Sequence, residues 1–128
     1  MDKHFSVARE IEFDYGHRVP NHGSKCRSVH GHRGKVEVTV CGPLVLEGAK
    51  AVDEGMVMDF SAIEAILKTE IHDKFDHYNL NDSIVYPTAE RLCEYIYNYL
   101  ISFHLPDGVY LSKIRVWETE GAYVEWAV

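Results

Sequence analysis

Two histidines separated by one glycine, His30-Gly31-His32, form the sharpest local pattern in the chain. In an extended segment residues i and i+2 point to the same face, so these imidazoles would stand side by side as metal ligands. Gly31 between them allows close approach of a neighbouring backbone or ligand. A third imidazole, His17, ends a stretch from Phe5 to His17 in which odd positions are mostly apolar, a strand-like period broken only by Arg9. If that strand pairs with the one carrying His30 and His32, the loop 18–29 closes on itself and the three rings meet. Three neutral imidazoles suit zinc and leave a fourth tetrahedral position open, which points to catalysis rather than a purely structural site.

Other residues have the types that move protons or bind anions. Cys26 lies between Lys25 and Arg27, and neighbouring cations favour a thiolate that can act as general base or nucleophile. The competing role for Cys26 is a fourth metal ligand, which would close the site. Asp76-His77 pairs a carboxylate with an imidazole, as in proton relays. Glu118 ends the strand-like run IRVW, where a planar carboxylate can read a guanidinium-like or 2-aminopyrimidinone edge through two parallel hydrogen bonds. His4, His22, His72 and His104 read as surface residues. Cys93 and Cys41 read as structural.

The elements that must position these groups follow from pattern. Val36, Val38 and Val40 alternate with polar residues and end at Gly42-Pro43. The connection 42–55 has its tip around residues 47–50. Ser61-x-x-Glu64 is a capping-box pattern, with Asp59 as an alternative start, before Ile63, Ile66, Leu67, Ile71 and Phe75 at helical spacing. Residues 76–87 read as a loop. Thr88 is placed to cap a second helix with the stripe Leu92, Ile96, Leu100 and Phe103, stopped by Pro106-Asp107-Gly108. Residues 109–118 and 122–128 are strand-like. The order β-β-α-α-β-β predicts one α+β domain over residues 1–128: an antiparallel four-stranded sheet with two helices on one face. The bare face and edges of that sheet call for oligomerisation.

Composition narrows the function classes. The 128 residues are 46% hydrophobic and 26% charged, which is globular composition. Net charge is −7, which argues against nucleic-acid binding. Yet from His17 to Lys35 there are five basic residues and no acid, a setting for a small anion. No apolar run approaches the roughly 20 residues that span a bilayer. The start, MDKHFSVAREIEF, lacks a signal-peptide pattern, and three cysteines without a CxxC suit a reducing cytoplasm.

The blocks His17, CRSVHGH (26–32), MDF (58–60), FDHYNLN (75–81), PTAE (87–90) and WET (117–119) fall in an order that resembles the 6-pyruvoyl-tetrahydropterin synthase and 6-carboxy-tetrahydropterin synthase family over about residues 5–126. The resemblance implies a T-fold assembled as a homohexamer, a dimer of trimers with active sites at subunit interfaces. It implies Zn2+ on His17, His30 and His32, and Cys26 as general base. It also implies a relay of Asp76 and His77, sometimes with Glu118, which anchors the pterin ring. Thr88 would help hold the pterin. Arg18, Lys25 and Arg27 are the candidates for the triphosphate of the family's substrate, 7,8-dihydroneopterin triphosphate. The compact length and the WET ending favour the carboxy branch, a lyase that releases acetaldehyde and triphosphate on a route toward 7-deazaguanines such as queuosine. The pyruvoyl branch is the near alternative. A structural zinc module closed by Cys26 is the alternative of a different class, and a three-histidine zinc hydrolase is weaker because it leaves Glu118 and Asp76-His77 unused.

Overall fold

A computed structural model describes residues 3–20, 22–48 and 51–128. The elements are β1 (His4–His17), β2 (His30–Pro43), α1 (Phe60–Leu67), a π-helical segment (Lys68–His72), α2 (Asp73–Phe75), β3 (Tyr78–Asn79), α3 (Ala89–Leu100), β4 (Tyr110–Thr119) and β5 (Ala122–Ala127). The sheet order is β3-β1-β2-β4-β5. The α+β class and the antiparallel order of the four long strands are as the sequence predicts. The additional strand is β3, whose two residues pair in parallel with Tyr15 and Gly16 inside a segment expected to be loop. A pairing of two residues leaves no period to read.

Strand parity sorts the side chains. On β1 the odd positions Phe13, Tyr15 and His17 are buried; on β2 and β4 the even positions Val36, Val38, Val40, Ile114 and Val116 are buried. These rows meet Ile63, Leu67, Ile71 and Phe75 of the first helical run and Leu92, Cys93, Ile96 and Leu100 of α3 in one core cluster. Arg9 breaks the apolar row because it reaches Glu64 of α1 at 3.0 Å. The opposite sheet face carries cross-strand ion pairs, Arg33 with Glu12, Lys35 with Glu10 and Lys113 with Glu37.

The first helix starts at the Asp59 cap, whose carboxylate accepts from Ser61 N at 2.7 Å; Ser61 is therefore inside the helix rather than its cap. Its core residues recur every four positions, and in a straight α-helix that spacing drifts by about 40° per step. The wider turn of the π-helical segment counters this drift and keeps Ile71 and Phe75 in line with Ile63 and Leu67. Thr88 caps α3, accepting from Arg91 N at 3.2 Å. The helix stops at Leu100, so Phe103 lies in the following turn. In the 42–55 connection Val45 bridges Glu54. Residues 49 and 50 of its expected tip lie outside the described residues.

Gly34 leaves room for the buried Tyr15 ring: a Cβ there would lie 2.7 Å from Tyr15 Cε1 and 3.5 Å from Phe13 Cζ. Replacement by alanine forces the ring off its rotamer in a packed core. Gly34→Ala should lose about 1–3 kcal/mol of stability, read as a lowered urea midpoint with an unchanged slope.

Candidate active site

The core-facing rows do not stop where the apolar residues stop. His17 continues the row of Phe13 and Tyr15, and His32 and His30 continue the row of Val36 and Gly34. Register seats His17 opposite His30 and Tyr15 opposite His32. On β4 the next even position after Ile114 and Val116 is Glu118. There the pairing with β5 shifts by one residue, because Trp117 faces Tyr123 while Thr119 faces Ala122. Glu118 is the extra residue of this bulge, and bulges of this kind re-aim a side chain. One ligand atom from each of His17, His30, His32 and Glu118 lies within 4.8 Å of all the others, an arrangement that can hold a metal ion.

Hydrogen bonds fix which ring nitrogens face inward. His17 Nδ1 donates to Pro87 O at 2.7 Å, and His30 Nδ1 donates to Ser28 O at 2.7 Å. A carbonyl oxygen only accepts, so the neutral form of each ring carries its proton on Nδ1 and presents a bare lone pair at Nε2. Those two Nε2 atoms are 3.0 Å apart. His32 Nε2 is buried and lies 3.2 Å from Glu118 Oε1, yet it makes no hydrogen bond. Glu118 Oε1 is also 3.1 Å from His17 Nε2. Converging lone pairs and a carboxylate repel one another unless a cation sits among them, so the donor set fits a metal. Burial lowers the His32 pKa, with further lowering from His17 and His30 against the opposing pull of Glu118. The buried Tyr15 phenol packs against His17 and His32, and burial followed by the Glu118 charge raises its pKa.

A second group lies on the other side of β1. Asp76 Oδ1 accepts from Asp14 N at 2.9 Å, and Asp76 Oδ2 accepts from His77 Nδ1 at 2.8 Å. His77 has φ of 63°, the left-handed region that non-glycine residues rarely adopt, and its N–H donates to Asp14 O at 2.6 Å. This backbone turn lets two adjacent side chains face each other. The Asp76 carboxylate is held below its usual range, first by the Asp14 amide and then by the His77 ring. His77, Tyr78, Asn79, His30, His32 and Asp14 share a cleft of about 630 Å³, which joins two histidines of the cluster to His77.

The basic segment divides. Arg33 is held by Glu12 and Asp14, and Lys35 lies 4.3 Å above the Trp117 ring. Arg18, Lys25 and Arg27 are exposed and have no ion pair among the described residues. Cys26 sits in a 3-10 turn, Lys25–Arg27, whose loop is closed by Val19 N donating to Cys26 O at 2.7 Å. Its thiol is not in the metal-capable group, whose fourth member is Glu118, so the geometry does not bring Cys26 in to close the site. Thr88 uses its hydroxyl to cap α3.

The family profile described as 6-pyruvoyl tetrahydropterin synthase matches residues 6–127. The chain belongs to that family. The 6-carboxy-5,6,7,8-tetrahydropterin synthase of a Synechocystis species is 37% identical over 117 residues, covering 88% of this chain and 85% of the relative. The enzyme of the same name from Haemophilus influenzae is 30% identical over 144 residues, covering 95% and 98%. The solved 6-pyruvoyl tetrahydropterin synthase of Caenorhabditis elegans has the same fold, with a TM-score of 0.80 over 99% of this chain and 97% of that one at 21% identity.

Three residues of this synthase-family site carry positioning roles that sequence reading did not assign. Asn81 Oδ1 accepts from Arg18 N at 2.8 Å and its Nδ2 donates to Arg18 O at 3.0 Å, which fixes the chain immediately after His17. Pro87 O sets the His17 tautomer, and Tyr15 walls the cluster. The FDHYNLN block was the available signal for Asn81; nothing local marks Pro87 or Tyr15.

His77→Ala should be less stable than His77→Gly by about 1 kcal/mol in chemical denaturation, because only glycine adopts the left-handed conformation freely. The depressed Asp76 pKa contributes stability above its unfolded value of about 3.9, and that contribution is lost as pH falls through the folded value. Asp76→Ala should therefore lower the urea midpoint most at neutral pH, and the gap to the parent should shrink progressively below about pH 4.

Proposed function

We propose that this chain converts 7,8-dihydroneopterin triphosphate and one water to 6-carboxy-5,6,7,8-tetrahydropterin, releasing acetaldehyde and triphosphate; the water adds across the side-chain carbon–carbon bond that breaks. The observation that carries the reading is the convergent three-histidine group in a chain 30–37% identical to two proteins named 6-carboxy-5,6,7,8-tetrahydropterin synthase. The reaction is a lyase reaction, and its product suits a route to 7-deazaguanines such as queuosine.

His17, His30 and His32 would hold zinc. Bound zinc supplies Lewis acidity toward the hydroxyl and carbonyl oxygens of the substrate side chain. Cys26 takes the proton from the carbon beside those oxygens as general base, and His77, oriented by Asp76, carries protons on the other side of the cleft. Glu118 has two available tasks, closing the metal group or binding the pterin edge. We assign it the 2-aminopyrimidinone edge, because a fourth protein ligand would remove the open position that catalysis needs. Thr88 can assist the pterin only through what its capping bond leaves free. Arg18, Lys25 and Arg27, exposed and without ion-pair partners among the described residues, are assigned to the triphosphate.

The domain spans the whole chain in this reading and assembles as a homohexamer. Two sheet edges support assembly: β5 ends the sheet, and β1 is covered on its outer side only by the two residues of β3. No helix among the described residues is long and apolar enough to cross a membrane. The three free cysteines accord with a cytoplasmic location.

Zinc-loaded protein given dihydroneopterin triphosphate should yield 6-carboxy-tetrahydropterin and an equal amount of acetaldehyde, measured by mass spectrometry and an aldehyde assay. 6-Pyruvoyl-tetrahydropterin without acetaldehyde would reassign the chain to the pyruvoyl reaction. Cys26→Ala should retain bound metal and lose at least about 100-fold in turnover, the usual scale for a general base; loss of metal instead would make Cys26 a ligand.

A further inference from the structure

The Asp76 carboxylate has a second imidazole neighbour. His72 precedes it by four residues, and Asp76 N donates to His72 O at 2.8 Å, so the last helical turn before the site stacks the two side chains on one face. His72 Nε2 lies 3.6 Å from Asp76 Oδ2, the same oxygen that accepts from His77 Nδ1 at 2.8 Å. The other His72 nitrogen, Nδ1, is 3.1 Å from Asp73 Oδ1. One oxygen therefore stands between two titratable rings, and one of those rings spans two carboxylates.

We propose that His72 is a positioning residue that tunes His77 through the shared Asp76 oxygen. The inference rests on Asp76-His77 being the proton-carrying pair only for its consequence in turnover; the coupling between the rings stands on geometry alone. Neutral His72 leaves the Asp76 carboxylate to His77. Protonated His72 donates to Asp73 with one nitrogen and turns the other toward Asp76, drawing negative charge away from the His77 ring. It also adds a positive charge that opposes a proton on His77. The exchange is confined to this corner. The Asp14 amide, which donates to the other Asp76 oxygen, and both rings beside the carboxylate hold the Asp76 pKa down. Lys68 engages Asp73 at 3.4 Å, and on β1 the Asp14 carboxylate is held by Arg33 of β2. Where α3 packs against this run, Tyr95 and Tyr99 contact Phe75, and Lys74 lies over Tyr99 and pairs with Glu70.

The test is a pH titration of the histidine ring resonances by NMR in the metal-loaded full-length protein, comparing the parent with His72→Gln and His72→Lys. Removing the charge should raise the His77 midpoint by about half a pH unit, the scale of one like charge several ångströms away near solvent. His72→Lys keeps a cation beside Asp76 and should not raise it, whereas a merely structural role would move both variants or neither. An unmoved His77 midpoint in His72→Gln, or the same rise in both variants, overturns the proposal. In turnover, the acid limb of kcat/KM against pH should move to higher pH in His72→Gln by the same amount. If Asp76→Asn and His77→Gln keep full turnover, the catalytic reading of the pair fails, while a shifted titration still supports the coupling.

Discussion

Bare nitrogen lone pairs converging at the end of a hydrophobic core are the constraint on which the rest of this structure turns. Two backbone carbonyls, those of Pro87 and Ser28, place the protons of His17 and His30 on the outer nitrogens. The inner nitrogens then face each other with no hydrogen between them, 3.0 Å apart, beside the Glu118 carboxylate. Such a group is costly without a cation. It is kept in place because the strands that carry it are anchored by seven buried apolar residues further along the same rows, among the described residues, which pack against the helices in one core.

The site is thus the polar end of the core rather than a loop added to it. The β1–β2 hairpin gives three imidazoles from two paired strands, and the bulge at Glu118 brings a carboxylate from the third. A rigid sheet holds ligands more closely than loops do, which is what a metal with fixed bond lengths requires. The groups assigned to proton transfer and phosphate binding have a different character. Asp76 and His77 sit at a helix end tied to β1 through Asp14, and Cys26 lies in a short capped turn. The metal-capable centre is built on long paired strands, and the residues around it are on shorter, more exposed segments, the usual division between scaffold and loops.

Strain is concentrated at one of these residues. His77 is the one non-glycine residue with positive φ among the described residues, and the same turn places its ring over Asp76 and aims its amide at Asp14. Three hydrogen bonds across two elements hold a conformation that costs energy by itself. The π-helical segment just before it belongs to the same adjustment, since it sets where the helix ends and therefore where His72, Asp76 and His77 fall.

The sequence by itself determined the four long strands, the two helical runs and the three histidines, because alternation, helical spacing and an HxH pattern are signals carried by neighbouring residues. It also carried the family, since several short blocks in a fixed order can be read without coordinates. Only the tertiary structure decided that Glu118 rather than Cys26 joins the histidines, that Asp59 rather than Ser61 caps the first helix, and that Arg33 and Lys35 are neutralised while Arg18, Lys25 and Arg27 stay free of ion pairs among the described residues. It also decided the roles of Asn81 and Pro87, and the neighbourhood of His72. The physical reason is common to these cases. Each depends on a contact between segments far apart in the chain or on the choice between two local partners, and neither leaves a period in the residues themselves.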